Sequence, residues 1–372
     1  MRILHLADLH LGWRPNFLGS KNEERGRERD NFLTRAVDFA LDNKNEISAV
    51  LIAGDLFETH RPPAELLEYV LSQLNRLVEN NLYLVTVPGN HDEVSYQDSV
   101  YKTAQKRWPG VLVLNPNPAE IARLEKDGRQ IAFYGLAYSA GLTRTSPPLQ
   151  EFPKGDAHIH VGIFHGSLNW DAGDRSLPLS GEALSQSGYH CVALGHIHQH
   201  SVRYLGQTVA CYAGAPEAKH FSDPGCGTLT ILNLGETTVV ETVDARCRPC
   251  LTRTVDVSEL DSPQEVDKLV ESQADPRAMQ RIVLTGVANF QIDAQVMQEK
   301  FAHLFYHLEI NGDNVFLDDA VIERLAAEPT IRGYFVRSMQ DRLKQSEEEE
   351  EREVVRRALL RGVAALGGGT VL

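Results

Sequence analysis

Asp8 and His10 stand two residues apart at the end of the apolar run Arg2–Ala7. Two apart on a strand, both side chains leave the same face, and a carboxylate and an imidazole there can share one metal ion. Asp55 follows at the end of the run Ala49–Ala53. One carboxylate has two oxygens and can bridge two ions. Asn90 offers a neutral carbonyl oxygen, with His91 and Asp92 next to it, and His165, His196 and His198 complete the set. A lone histidine at a strand end is more often a hydrogen-bonded structural residue than a ligand. The joint occurrence of D-x-H, G-D, G-N-H-D, a His beside Gly and G-H-x-H, each closing an apolar strand, points instead to a single metal site. Mixed oxygen and imidazole donors without thiolate suit manganese, iron, zinc or magnesium. Two such ions about 3.5–4 Å apart would clamp an in-line displacement at phosphorus.

The elements that must position these residues repeat one theme over the first 235 or so residues. Arg2–Ala7, Ala49–Ala53, Leu82–Val87, Val161–Phe164 and Cys191–Leu194 are near-continuous apolar runs rich in Val and Ile, as strands covered on both faces are. Between them the spacing predicts helices. Pro62-Pro63 precede Leu66, Leu67, Val70, Leu71, Leu74, Leu77 and Val78, and Phe32, Ala36, Phe39 and Ala40 mark another. Strand–helix alternation argues for an α/β core, in which ligands bind beyond the carboxyl ends of the strands. The polar clusters therefore converge. Thr208–Tyr212, Thr228–Asn233 and Thr237–Thr242 predict a β-rich closure of this domain.

The pattern shifts near Arg246. Strands over Leu251–Val257, Arg281–Val287 and His307–Ile310, with helices over Pro263–Gln273 and Ala294–Phe305, predict a small βαβαβ domain. From Asp318 the chain turns helical. Ile331, Phe335, Met339 and Leu343 form one stripe, and Val354, Val355, Leu359, Val363 and Leu366 a second. Such helices either pack within their own domain or lay an apolar face on a partner. The expected domains are 1–245, 246–316 and 317–372.

The chain has 372 residues and a net charge of −14, part of it the five glutamates Glu347–Glu351. A protein that coats DNA through phosphate neutralisation is usually basic; an enzyme that grips phosphates through metal ions needs less charge of its own. The chain lacks both a long apolar run and a signal-like N-terminus, so a cytoplasmic protein with no membrane span is expected. Cys191, Cys211, Cys226, Cys247 and Cys250 are expected to be reduced thiols, since the Cys247-x-x-Cys250 pair has no second ligand pair at zinc-site spacing.

Asp8-x-His10, Gly54-Asp55, Gly89-Asn90-His91-Asp92, His165 and Gly195-His196-x-His198 match the motifs of calcineurin-like metallophosphoesterases. "RILHLADLHLG", "LIAGDLFETHRPP", "VPGNHD" and "ALGHIHQHSV" resemble the SbcD-type nucleases, subunits of double-strand-break repair complexes, and their shorter-tailed bacterial relatives. The resemblance is specific over 1–235, weaker over 246–316 and architectural beyond. It implies a four-layer sandwich of two β-sheets flanked by helices, with a small α/β capping domain and a helical C-terminal tail. It implies that Asp8, His10, Asp55 and His198 hold one metal ion and Asp55, Asn90, His165 and His196 the other, usually manganese (Mn2+). His91, holding no metal, would orient the scissile phosphate and protonate the leaving oxygen, a role suited to a near-neutral pKa, and Asp92 would steady its ring. The implied reaction is DNA phosphodiester hydrolysis, as a 3′–5′ exonuclease and single-strand endonuclease in repair. The implied partners are DNA, a coiled-coil ATPase of the SbcC type docked on the tail, and a second copy of the chain.

The sequence departs from archaeal and eukaryotic members at Glu58, where they carry a second functional His; Glu58, His60 and Arg61 are the candidate substrate-binding residues. A Pro-Gly-Ser-type turn is replaced by Ala213-Gly214-Ala215-Pro216. Arg14, Lys21, Arg25, Arg27, Arg61 and Lys102 are candidate phosphate contacts, for most of which solvated surface charge is the plainer account. Two readings compete with a DNA nuclease: a phosphodiesterase for a small substrate such as a cyclic nucleotide or nucleotide sugar, and a non-catalytic adaptor with a structural metal site. An intact His91 argues against the adaptor, and the capping domain and amphipathic tail argue against the small substrate.

Overall fold

The computed structural model describes residues 1–140, 149–169, 176–223, 225 and 227–366, which form two compact units, Met1–Cys247 and Arg248–Leu372. The first unit begins with β1 (Arg2–Leu6), α1 (Asn22–Asp30), α2 (Phe32–Leu41), β2 (Ile47–Ala53), α3 (Ala64–Glu79), β3 (Tyr83–Val87), the short α4 (Val100–Thr103) and β4 (Val111–Leu112). A hairpin of β5 (Ala119–Lys126) and β6 (Arg129–Gly135) follows, then β7 (Ile159–Leu168), β8 (Leu177–Leu179), α5 (Gly181–Gln186), β9 (Cys191–Gly195), β10 (Ser201–Leu205), β11 (Thr208–Tyr212), β12 (Thr228–Leu234) and β13 (Thr238–Asp244).

Among the described residues these strands make two sheets, ordered β13-β12-β1-β2-β3-β4 and β10-β11-β9-β7-β6-β5, with β8 beside β7. β1, β2, β3 and β4 run parallel, as do β6, β7, β9 and β11. Alternation along each strand supplies two buried faces. Ile131, Phe133, Val161 and Ile163 join Ile3, Leu51 and Val85 in the layer between the sheets, with the α2 and α3 residues Phe32, Ala36, Val70 and Leu74 in the same cluster. Ala132, Tyr134, Phe164 and Val192 face the other way, onto Leu184 of α5 and Tyr189. The result is helix, sheet, sheet, helix, the four-layer sandwich that the resemblance implies. The β5–β6 hairpin escaped the periodicity reading. Its signal is Asp127-Gly128, whose φ of +52° and +72° are those of a tight two-residue hairpin turn.

The second unit starts with β14 (Cys250–Asp256), α6 (Pro263–Glu271), β15 (Met279–Ala288), α7 (Ala294–Phe301) and β16 (His307–Leu317). The parallel sheet β14-β15-β16 carries α6 and α7 on a core of Val255, Val266, Ile282, Leu284, Met297 and Ile310. Two expected boundaries move. The second helix stops at Phe301 and gives way to a 3-10 turn, Ala302–Leu304, and the last strand runs past Ile310 to Leu317. Three helices follow, α8 (Asp319–Ala326), α9 (Ile331–Gln345) and α10 (Glu349–Leu366). They pack on one another through Val321, Leu325, Val336, Leu359 and Val363. Each expected stripe is only partly covered: Ile331 and Val354 are exposed, as is Tyr334. No described helix is long and apolar enough to cross a membrane. Cys226 lies outside the described residues, and the other four cysteines form no disulfide.

Candidate metal centre

The chain leaves β1, β2, β3 and β9 at one edge of the sandwich, and the candidate residues meet there with His165, which lies within β7 rather than at its end as expected. Asp8 and His10 do not lie on a strand, contrary to expectation. β1 ends at Leu6, and Asp8 and His10 adopt φ of +55° and +48°. Asp55 (+52°) and His196 (+97°) are also left-handed, a conformation that costs a non-glycine residue roughly 1 kcal/mol or more. The backbone is held there by neighbouring chain. Asp8 N–H donates to Gly54 O (3.2 Å), His10 N–H to Asp55 O (2.9 Å), and Glu58 N–H returns to Leu11 O (2.9 Å). The segment after β1 thus continues alongside the segment after β2, and both turn their side chains inward. Glycine is required at three motif positions: a Cβ at Gly54 would lie 2.2 Å from His165 Nδ1, one at Gly89 2.2 Å from Asp55 Oδ1, and one at Gly195 2.0 Å from Ala53 O.

The donors converge in overlapping groups. Asp8, His10 and His198 can place one ligand atom each within 4.8 Å of one another, as can Asp8, Asp55 and His165, and His10, Asp55 and His91. His165 Nε2 and His196 Nδ1 both lie 2.9 Å from Asn90 Oδ1. His10 Nε2 lies 3.1 Å from His198 Nε2, and Asp55 Oδ2 is 3.7 Å from His10 Nε2 and 3.4 Å from His165 Nε2. Asp55 therefore stands between the two histidine groups.

Three histidines have the far ring nitrogen facing an acceptor. His10 Nδ1 lies 2.9 Å from Glu58 Oε2, His165 Nδ1 is 2.9 Å from Ala53 O, and His198 Nδ1 is 3.0 Å from both Asp223 oxygens. The Ala53 carbonyl and the Asp223 carboxylate put the proton of His165 and His198 on Nδ1 and turn the lone pair of Nε2 toward the cluster, as outer partners of metal-ligating histidines do; the His10–Glu58 approach is close but lacks hydrogen-bond geometry. Glu58, Lys219 and Asp223 are functional neighbours that motif reading did not assign to this role. Glu58 sat at a flagged position; the other two carry no local signal.

The electrostatics fit a cation. Burial pushes Asp8 up to about 6, with Asp55 adding to the effect. Burial also works against charge on Asp55, yet His165 and His10 hold it well below the carboxylate range. Burial lowers His10 to about 3. Burial opposes charge on His165 as well, but Asp55 and Asp8 raise it to about 9. His198 is likewise raised against burial, by Asp223 and Asp8. His165 and His198 belong to different halves of the cluster, so each half draws one positive charge toward buried carboxylates. Two divalent cations on oxygen and imidazole donors satisfy the same demand.

The remaining expected residues fall out differently. His91 sits at the mouth, 36% exposed, its ring 4.6 Å from that of His10. Its Nδ1 is 3.1 Å from Glu58 O. Asp92 does not steady that ring. It is fully buried, and its oxygens accept from Gly89 N, Phe57 N and Tyr101 Oη at 2.7–3.1 Å. It therefore pins the turn that carries Asn90 and His91. His60 stacks on Tyr96 (4.0 Å, 14°) and Arg61 pairs with Asp98. Arg25 is no phosphate contact: it is buried against Glu217 (2.6 Å), which also binds Arg35 (2.7 Å). Gly214 presses on the His198–His200 backbone, and Ala215 N–H donates to His198 O (2.9 Å).

The family model for calcineurin-like phosphoesterases matches residues 1–200. The uncharacterized metallophosphoesterase YhaO of Bacillus subtilis is 28% identical over 237 residues, 60% of this chain and 55% of that protein. The DNA double-strand break repair protein Mre11 of Methanopyrus kandleri is 28% identical over 231 residues, 59% and 50% of the two chains. The protein of the same name from Sulfolobus acidocaldarius is 23% identical over 316 residues, 79% and 77%. The chain thus spans about half the length of the first two of these relatives.

Proposed function

The chain belongs to the calcineurin-like phosphoesterase family, and from that premise we propose that it hydrolyses DNA phosphodiesters at a two-metal centre, as a repair nuclease. The observation that carries this reading is the placement of His91. It stands at the open mouth of a buried donor cluster, with one ring nitrogen already held. Asp8, His10, Asp55 and His198 would hold one ion and Asp55, Asn90, His165 and His196 the other, manganese by preference. When bound, the ions would activate water and offset charge on the non-bridging phosphate oxygens. The protein's own contribution is orientation and proton transfer. The Glu58 carbonyl can only accept, so Nδ1 of His91 carries a hydrogen and Nε2 is left for the substrate. An imidazolium so held can give its Nε2 proton to the leaving oxygen. His91 N–H donates to Asp55 Oδ1 (2.9 Å), which links the acid's backbone to the bridging carboxylate.

DNA as substrate is supported by the relatives named for double-strand break repair. Docking of a coiled-coil ATPase on the helices after 317 is supported by the exposed Ile331, Tyr334 and Val354, and pairing with a second copy is part of the same proposal. The test is manganese-dependent degradation of end-labelled single- and double-stranded DNA beside bis-p-nitrophenyl phosphate. His91→Ala is expected to keep both metals and lose hydrolysis; metal loss in that variant refutes the role given to His91. Hydrolysis of the small diester with DNA left intact, alone and with an ATPase partner added, refutes the nuclease reading in favour of a small-substrate phosphodiesterase.

A further inference from the structure

The cluster has a buried side and an open side. Asp8, His10, Asp55 and His165 are essentially inaccessible, while His91, Glu58 and His198 keep a quarter to a third of their side-chain surface. Any phosphate must arrive from that open side, and an unpaired Glu58 carboxylate there would repel it. Glu58 is not unpaired. Lys219 Nζ sits 2.7 Å from Glu58 Oε2, the oxygen that also faces His10 Nδ1 (2.9 Å) and His91 Nδ1 (3.8 Å).

An ammonium has three N–H donors. Its contact with Glu58 uses one, and the Lys219 side chain keeps 12% exposure. The backbone around it is anchored on both sides. Lys219 N–H donates to Asp223 Oδ2 (2.9 Å), and the same carboxylate holds His198. Glu217, two residues earlier, is locked by the buried Arg25 and by Arg35, and Arg29, also buried, donates to the Glu217 carbonyl. A lysine this firmly positioned loses little freedom on meeting a ligand, which is what makes a charged contact effective.

We propose, building on the phosphodiesterase reading, that Lys219 is a substrate-binding residue: its ammonium, held by Glu58 at the rim of the cluster, donates to a non-bridging phosphate oxygen and offsets the Glu58 charge in the phosphate's path. The same contact serves any phosphate that reaches the site, so it can be read without hydrolysis.

The experiment measures inorganic phosphate binding to the manganese-loaded full chain by calorimetry, and KM and kcat on bis-p-nitrophenyl phosphate, for the wild type, Lys219→Met and Lys219→Arg. Manganese content is measured on every sample. Lys219→Met is expected to weaken phosphate binding and raise KM by roughly tenfold or more, the usual loss for a charge-assisted hydrogen bond, with two ions still bound. Lys219→Arg should recover most of both. Unchanged phosphate affinity in Lys219→Met overturns the proposal. So does loss of metal in Lys219→Met, which would make the lysine a prop for Glu58 and His10. A wild type that hydrolyses no diester yet binds phosphate through Lys219 would refute the phosphodiesterase reading and leave this assignment standing.

Discussion

Replacing Asp223 by Asn tests whether a residue far along the chain from the motifs sets the strength of one metal position. Asp223 accepts from His198 Nδ1 with both oxygens at 3.0 Å and from Lys219 N–H at 2.9 Å. Asn keeps one oxygen, which the Lys219 N–H can still use, and presents an amide NH2 to His198. That donor favours the tautomer with a bare Nδ1 and a protonated Nε2, so the nitrogen facing His10 and Asp8 no longer offers its lone pair. Loss of such an outer partner typically weakens metal binding 10–100-fold, about 1.4–2.8 kcal/mol. The effect should fall on the ion held by His10 and His198 and much less on the one held by Asn90, His165 and His196. Manganese equilibrium dialysis against graded free metal should show two similar steps in the wild type and one displaced step in Asp223→Asn. The thermal midpoint in chelator checks that the fold is intact. Two undisplaced steps in a folded variant would refute the claim that Asp223 orients His198.

Three further outcomes follow from the electrostatics. Because His165 is held near 9 without metal, with burial outweighed by Asp55 and Asp8, metal uptake near neutral pH must expel a proton. Affinity should rise about tenfold per pH unit for each proton expelled, up to roughly pH 9; calorimetry in buffers of different ionisation enthalpy measures the release, and zero release contradicts it. His5, wholly buried, is lowered from 6.5 to about 3 by burial, with His200 adding. The unfolded chain therefore binds the extra proton between those values. His5 contributes stability that is complete above about pH 6.5 and is lost as pH falls toward 3, near 2 kcal/mol by pH 5 (~1.4 kcal/mol per pH unit). Stabilities from denaturant midpoints of the chelated wild type and His5→Leu, compared at pH 7 and pH 5, should show the wild type losing that amount relative to the variant, and an unchanged difference would show otherwise. Glu217→Ala removes the nearer carboxylate from the buried Arg25, leaving it Glu28 at 3.4 Å and the Ala218 carbonyl, and should cost ~3 kcal/mol, read from denaturant midpoints; a loss under 1 kcal/mol would mean that the ion pair is not closed to water.

The residues that converge in the cluster and the parallel strands that carry them were legible because each is written locally. An apolar run followed by a short polar motif reports a strand end directly, and i, i+3/i+4 spacing reports α2 and α3. The β5–β6 hairpin was missed although Asp127-Gly128 marks it, since its flanking residues alternate weakly and β5 is only partly buried. Asp92 was misread because adjacency in the chain suggested contact with His91. The turn points its carboxylate inward instead, to Gly89, Phe57 and Tyr101.

By itself the sequence determined which chemistry is available: two carboxylates, an amide and four imidazoles at strand ends, with an uncommitted histidine among them. The tertiary structure decided how those groups are aimed. The left-handed backbone at Asp8, His10 and Asp55 exists because the segments after β1 and β2 hydrogen-bond to each other, and that at His196 is held by its N–H, which donates to the Asp8 carboxylate. The Nδ1 partners of His10 and His198 come from residues 58 and 223, and Lys219 reaches Glu58 across 161 residues of chain. Local periodicity reflects backbone hydrogen bonding and burial within a few residues. Pairings of this kind depend on how distant segments pack, and no local pattern carries them.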